Sequence, residues 1–365
     1  VGRLSAYLVC HAKCRVMRAD GLQRLWFQRR PRPALWFLAW FLCWLVLWPL
    51  HLLFVLGSTG RRRWAARRHL PVPVVVVGNL IVGGAGKTPL TLALAEQLRA
   101  RGWQPGIISR GYGADLGTAV RAVTADSLPQ EVGDEPCLLA RRSACPLWVG
   151  RDRVAAGRAL LAAHPEVNVL LCDDGLQHYR LARDVEIAVF DARGVGNGWR
   201  LPLGPLREPL ARLAQVDAVV GNGCAVDVLA LGRPAFTMTL QTDGFYRLGS
   251  PQQRCPAAEL VTRLAGKNVH AIAGIGHPER FFATLRALGL QFEAHAFADH
   301  QPYQLADLAF GPQAVLLMTE KDAVKCAALP LSEAVAEAWV LPVTAQLPPA
   351  LMDLIVEKLR GCSSA

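Results

Sequence analysis

The sequence contains ten cysteines, yet no CxxC pair and no cysteine and histidine cluster at zinc spacing; its nearest two are Cys10 and Cys14. That absence argues against zinc fingers and ribbons, and the thiols read as reduced, mostly buried groups of a cytosol-facing protein. Acid is nearly absent from residues 1–70, where thirteen Lys and Arg face one carboxylate, Asp20, and this imbalance accounts for the whole formal charge of +11. The remaining 295 residues are near neutral, so the folded basic face expected of a nucleic-acid domain is missing. No long low-complexity linker interrupts the chain, and 365 residues with 52% hydrophobic content suffice for two domains with their own cores.

Charge is missing again from residues 34–57, ALWFLAWFLCWLVLWPLHLLFVLG. As a helix this stretch would reach roughly 36 Å, against a hydrocarbon core of about 30 Å. Arg24, Arg29, Arg30 and Arg32 precede it, and Arg61, Arg62, Arg63, Arg67 and Arg68 follow. Flanking arginines predict a membrane-anchoring helix with everything downstream in the cytoplasm. Trp36, Trp40, Trp44 and Trp48 fall on one helical stripe, while Pro49 and His51 weaken the last third. No A-x-A cleavage site follows, which argues against a signal peptide; a buried core helix is the competing reading. Whether the helix spans the bilayer or lies in one leaflet stays open at this stage. The chain opens on Val1, and Met17 is a natural start shortly before the anchor, so residues 1–16 are expected to be an upstream extension without a role.

Beyond the anchor, VPVVVV (72–77) has the continuous apolar character of a central parallel strand. A glycine-rich loop follows, then TPLTLALAEQLRARG, whose Leu90, Leu94 and Leu98 share a helical face before Gly102. Further strands are expected at 106–108, 146–150, 167–172, 185–190 and 216–221, with a helix over 152–163. The alternation predicts an α/β fold of doubly wound type. From about residue 225 the pattern repeats on a smaller scale, with strands in 267–276 and 314–322 and an amphipathic helix from Pro278. The expected divisions are a basic segment 1–33, the anchor 34–57, a first domain 58–224 and a smaller α/β domain 225–365.

Chemistry concentrates at GNLIVGGAGKTPL, residues 78–90. Gly86, Lys87 and Thr88 complete the second half of the phosphate-loop pattern G-x-x-x-x-G-K-[ST], although Ile81 stands where its first glycine should be. Gly83, Gly84 and Gly86 still let backbone amides curl toward an anion, and the helix beginning there adds its positive end. Residues Ile81, Val82, Gly83, Gly84, Ala85, Gly86, Lys87 and Thr88 are thus the candidate phosphate cradle, with Lys87 beside the β and γ phosphates and the Thr88 hydroxyl on Mg²⁺. VNVLLCDDG then offers Asp173 and Asp174 at a strand end as metal ligands. In VGDEP, Asp134 and Glu135 read either as an acidic first turn of a helix or as carboxylates near the γ phosphate, one able to accept the attacking hydroxyl's proton and Glu135 able to join the metal. Arg110, Arg151, Arg153 and Arg207 are available to neutralise substrate phosphate charge.

Taken together, PVVVVGNLIVGGAGKTP, SRGYG, VGDEP, DDGLQH, LPLGPLREP, GIGHPERFF, FADHQPY and TEKDAVK span roughly residues 73–325 in order. This set resembles the tetraacyldisaccharide 4′-kinases, the lipid A 4′-kinases of Gram-negative bacteria, which also lack the first glycine. The resemblance implies a P-loop kinase-like domain, residues 58–224, a second α/β domain, and an active site in the cleft between them. It implies ATP and Mg²⁺ as cofactors and phosphorylation of the 4′-hydroxyl of a tetraacylated disaccharide 1-phosphate. The implied location is the cytoplasmic face of the bacterial inner membrane, in contact with membrane lipids, with neither nucleic acid nor a protein partner involved. It also assigns Asp134 as catalytic base, with His300 as the partner that positions or tunes it. The competing function is a membrane-anchored P-loop NTPase with a regulatory or targeting role. A guanine-specific version lacks its N-K-x-D or T-K-x-D motif, since TEKD carries an extra residue between Thr319 and Lys321.

Overall fold

A computed structural model describes residues 26–27 and 34–362. The expected extension at 1–16 and the arginines Arg24, Arg29, Arg30 and Arg32 lie outside the described residues, as do the side chains of Trp36 and Trp40. Fifteen strands are described: β1 (Val74–Gly78), β2 (Pro105–Ser109), β3 (Val120–Val123), β4 (Leu147–Gly150), β5 (Val169–Asp173), β6 (Val185–Asp191), β7 (Ala218–Asn222), β8 (Ala235–Gln241), β9 (Phe245–Arg247), β10 (Ser250–Cys255), β11 (Val269–Ala273), β12 (Glu293–Ala296), β13 (Val315–Thr319), β14 (Glu337–Leu341) and β15 (Thr344–Gln346).

Nine of them form one sheet in the order β15-β8-β7-β6-β1-β5-β2-β4-β3, and six form another in the order β10-β9-β14-β13-β11-β12. In the large sheet β8 through β4 run parallel and only the two edge strands, β3 and β15, are antiparallel. The valine run explains why β1 sits at the centre. Val75 and Val77 pack with Leu90, Leu94 and Leu98 of the helix Lys87–Ala100 and with Leu351, Ile355 and Leu359 of the last helix, Pro349–Cys362. Val74 and Val76 join Val154 and Leu160 on the opposite face. A strand covered on both sides carries no polar alternation, and each fully buried aliphatic side chain contributes about 1.5–3 kcal/mol.

Sheet membership does not follow a single cut near residue 225. β8 extends the large sheet beyond that point, and the chain returns to it at the end, where β15 pairs with β8 and the last helix packs on the same core. The small sheet is covered in the same two-sided way. Phe281, Phe282 and Leu285 lie on one face, and Leu308, Cys326 and Leu331 on the other.

The N-terminal helix covers Ala34–Arg63 and passes through Pro49 without ending. It is docked on the large sheet's loops. His51 is buried and its Nδ1 donates to the carbonyls of Arg200 and Leu201 at 3.0 and 3.2 Å. Trp44 and Trp48 meet Trp199 with ring centroids 6.3 and 5.8 Å apart, so this part of the tryptophan stripe serves packing. The rest of the surface is apolar and open, with Val46, Leu53 and Leu56 about 71%, 66% and 68% exposed. Among the described residues, no helix is long and apolar enough to cross a membrane.

Candidate active site

The loop after β1 is shaped by what holds its carbonyls. Asn79 Nδ2 donates to Gly83 O at 3.0 Å, Arg193 Nη2 to Gly84 O at 2.7 Å, and Asn222 Nδ2 to Ala85 O at 3.2 Å. Engaging the carbonyls from outside leaves the loop's amides as its unspent donors, the arrangement an anion needs. Gly86 has φ 97° and a Cβ there would lie 2.2 Å from Asn222 Nδ2, so the position tolerates only glycine. Ile81 is fully buried and bridges to Leu206, while Val82 N donates to Pro205 O at 3.0 Å. Where a phosphate loop usually turns on glycine, this one is pinned to the LPLGPLREP segment instead.

Lys87 and Thr88 open the following helix and line a cavity of about 310 Å³ with Glu135, Asp191, Asn222, Arg280 and Lys321. The Lys87 ammonium stands 3.5 Å from Asp174 Oδ1 and 3.4 Å from Asn79 Oδ1. Asp173, the last residue of β5, is fully buried and takes one hydrogen bond, from Thr91 Oγ1 at 3.1 Å; its Oδ2 has no partner among the described residues. Burial, reinforced by the charge of Glu135, pushes its carboxyl up to about 7 despite Lys87. Asp174 behaves oppositely. Burial would raise it too, but Lys87 and Arg207, the latter 3.2 Å from its carboxylate, bring it down to about 2. Adjacent acids are thereby split into one reluctant and one firm anion, while the orphaned carboxylate oxygen of Asp173 is the kind of donor a hard divalent cation takes.

The second sheet contributes the opposite wall. His300, which has φ 60° in the loop beyond β12, places Nδ1 3.1 Å from both Asp134 oxygens. Asp134 opens the helix Asp134–Ser143 behind Gly133, which has φ 95°, so the pair forms the acidic first turn of that helix, and Glu135 lines the cavity. Lys321 Nζ lies 3.1 Å from Glu135, 3.0 Å from Asp299, 3.7 Å from Asp134 and 3.3 Å from His300 Nε2. Burial tends to lower the Lys321 ammonium, but Glu135, Asp299 and Asp134 raise it above the ordinary lysine value. Burial would likewise raise Asp134; the His300 hydrogen bond and the Lys321 charge outweigh it and hold that carboxyl at about 2.

Of the four arginines singled out in the sequence, Arg207 joins the acids. Arg110 and Arg151 line a separate recess of about 170 Å³ with Gly111, Tyr112 and Gly113. Arg153 is buried and donates to the carbonyls of Gly150 and Arg151 at 3.3 and 3.1 Å, and its charge helps to lower Asp174. Sequence reasoning missed Asp299, Lys321, Arg193, Asn222 and Arg280. Lys321, Asp299 and Arg280 sit in the stretches TEKDAVK, FADHQPY and GIGHPERFF, so the signal was there without a role attached. Arg193 and Asn222 belong to none of the eight stretches.

The family described as Tetraacyldisaccharide-1-P 4'-kinase matches residues 43–360. A protein of Dechloromonas aromatica named tetraacyldisaccharide 4'-kinase is 60% identical over 346 residues, which is 94% of this chain and 99% of that protein. One of the same name from Azoarcus sp. is 49% identical over 341 residues, 92% of this chain and 94% of its own length. The solved "apo" form of LpxK from Aquifex aeolicus in complex with ATP superposes with a TM-score of 0.70 at 27% identity, covering 86% of this chain and 98% of that one. With these matches spanning nearly the whole sequence, the chain belongs to the tetraacyldisaccharide 4'-kinase family.

Proposed function

We propose that the cleft transfers the γ-phosphoryl group of ATP to the 4′-hydroxyl of a tetraacylated disaccharide 1-phosphate, a step of lipid A biosynthesis. The observation that carries this reading is the meeting of Asp134 and His300, from the two sheets, beside the cavity that Lys87 and Thr88 line. In it, the loop amides and Lys87 hold the transferring phosphate, and Asp134 takes the proton from the 4′-hydroxyl as the bond to phosphorus forms. A carboxylate at about 2 is a weak base. Phosphoryl transfer passes through a loose transition state in which the nucleophile's proton is lost late, so orienting the hydroxyl matters more than basicity. His300 Nδ1 provides that orientation by donating to Asp134, and Lys321 holds Glu135, Asp299 and Asp134 together across the cleft.

Asp173, Asp174, Glu135 and Thr88 are the residues that would hold Mg²⁺, which neutralises charge on the β and γ phosphates when bound. Arg207 keeps Asp174 ionised for that task. Residues 58–224 form the main ATP-holding part and the second domain brings His300 and Lys321. The helix Ala34–Arg63, with its open apolar face and the basic turn Arg61–Arg63, keeps the enzyme on the cytoplasmic face of the inner membrane. A lipid-bound hydroxyl requires this, because each buried CH₂ contributes about 0.8 kcal/mol to keeping the substrate in the bilayer.

The test is transfer of radiolabelled γ-phosphate from ATP to a tetraacylated disaccharide 1-phosphate in detergent micelles, with and without Mg²⁺. Magnesium-dependent labelling of the lipid is the expected result. ATP hydrolysis with no label on the lipid would overturn it in favour of a membrane NTPase.

A further inference from the structure

The outer edge of the small sheet carries a second constellation of ligating side chains, away from the phosphate loop. In the parallel pairing of β11 with β12, His270 stands opposite Glu293 and Ile272 opposite His295. Successive side chains alternate between faces, so His270, Glu293 and His295 project from one face of the last two strands. There His270 Nδ1 lies 3.0 Å from His295 Nε2 and 3.7 Å from Glu293 Oε2, and His295 Nε2 lies 3.9 Å from Glu293 Oε1. Phe310 backs the pair, stacked on His270 at 4.2 Å and 9° and tilted on His295 at 4.5 Å.

Hydrogen bonding alone accounts poorly for this group. His270 is only 6% exposed, and the nitrogen it turns toward the cluster, Nδ1, faces a second imidazole rather than a backbone carbonyl. Two imidazole nitrogens and a carboxylate oxygen converging on one point form a donor set for a borderline divalent metal. A tetrahedral centre with bonds of about 2.0–2.1 Å has ligand atoms about 3.3–3.4 Å apart. The three observed separations bracket that value, and Glu293, whose side chain is 70% exposed, is free to close the longer two.

We propose that His270, Glu293 and His295 form a binding site for one divalent transition metal of the zinc class, with the fourth position open to water. The site fastens β12, the outermost strand, to β11, and it is independent of the phosphoryl-transfer reading. A spacing of 25 residues between the two histidines hides it from any search for compact zinc motifs.

The test uses the full chain, freed of metal by chelation and titrated with Co²⁺, whose visible absorption reports four-coordinate nitrogen and oxygen ligation. Wild-type protein is expected to develop the band stoichiometrically and to lose it when Zn²⁺ is added. His295→Ala and Glu293→Ala, both at positions outside the buried core, are expected to lose the band while keeping the wild-type circular dichroism spectrum and transfer of phosphate to lipid. No band in the wild type, or a band that survives in both variants, overturns the site. Thiolate-to-cobalt charge transfer in the near ultraviolet would place the metal on cysteine and overturn it equally.

Discussion

Asp173 in the large sheet and Asp322 in the small one are both fully buried carboxylates beside the end of a parallel strand, yet their surroundings differ completely. Asp322 accepts from Gly274 N at 3.1 and 3.2 Å, Tyr303 OH at 2.9 Å, Thr319 Oγ1 at 2.6 Å and Lys325 Nζ at 3.0 Å. Asp173 has Thr91 and one oxygen with no partner among the described residues. A buried acid normally has its hydrogen-bonding capacity filled, and an unfilled one requires a reason. Asp322 ties β11, β13 and the helix Glu320–Cys326 into a frame that carries Lys321 to the cleft. Asp173 keeps one oxygen without a partner among the described residues, at the place proposed above for Mg²⁺. The same residue type thus has its hydrogen-bonding capacity filled beside the small sheet and left open at the end of β5.

The largest effect expected is on activity at the acid that receives help from both sheets. Asp134→Asn should lower kcat by about 10²–10⁴-fold, the range for a lost general base, and should also lose the stability that its depressed carboxyl contributes above pH 3.8; near wild-type kcat in this variant would remove Asp134 from the reaction. Asp322→Ala should act chiefly on stability. Removing one partner of a buried ion pair costs about 3–5 kcal/mol, so chemical denaturation should show a large loss of stability. A variant as stable as the wild type would erase the contrast with Asp173. His300→Gln comes next, with kcat reduced roughly 10–100-fold, the scale for a group that orients another. A loss equal to that of Asp134→Asn would instead mean that the two act as one unit.

What the sequence reveals of this design follows from how local each signal is. β1, the phosphate loop and its helix are legible because the strand is buried on both faces and the helix on one, so apolar periodicity survives intact. β3, β8, β9, β10, β12, β14 and β15 were missed; β3, β8, β10 and β12 are largely exposed, and a strand that buries little writes no pattern, while β9 and β15 are three residues long and β14 is buried but only five residues long. Lys87 and Thr88, at the start of a helix, and Asp173 and Asp174, at the end of a strand, are singled out by spacing alone. Asp134 and His300 are 166 residues apart, and only resemblance joined them in advance. Arg193 and Asn222 act through the carbonyls of Gly84 and Ala85, and no motif records which side chain will hold a loop's outer face.

The smallest effect sharpens the comparison through pH. The Asp173 carboxyl goes from an ordinary 3.8 in the unfolded chain to about 7 in the fold, so between those values the folded protein holds a proton that the unfolded chain has released. Stability contributed by this group is therefore full below pH 3.8 and declines as pH rises toward 7. Asp134 and Asp174 act in the opposite sense. Their carboxyls are held at about 2, so their contribution is present above pH 3.8 and fades as pH falls toward 2. In magnesium-free buffer, Asp173→Asn should melt with the wild type near pH 3, below the unfolded value of 3.8, where the acid is neutral in both the folded and the unfolded chain, and above it at pH 7.5, where the wild type carries a buried charge without a metal ion. Thermal melts at the two pH values check this. A wild type that is the more stable protein at pH 7.5 would mean that Asp173, like Asp322, finds its compensation inside the fold, and the distinction between scaffold and ligand would have to be drawn elsewhere.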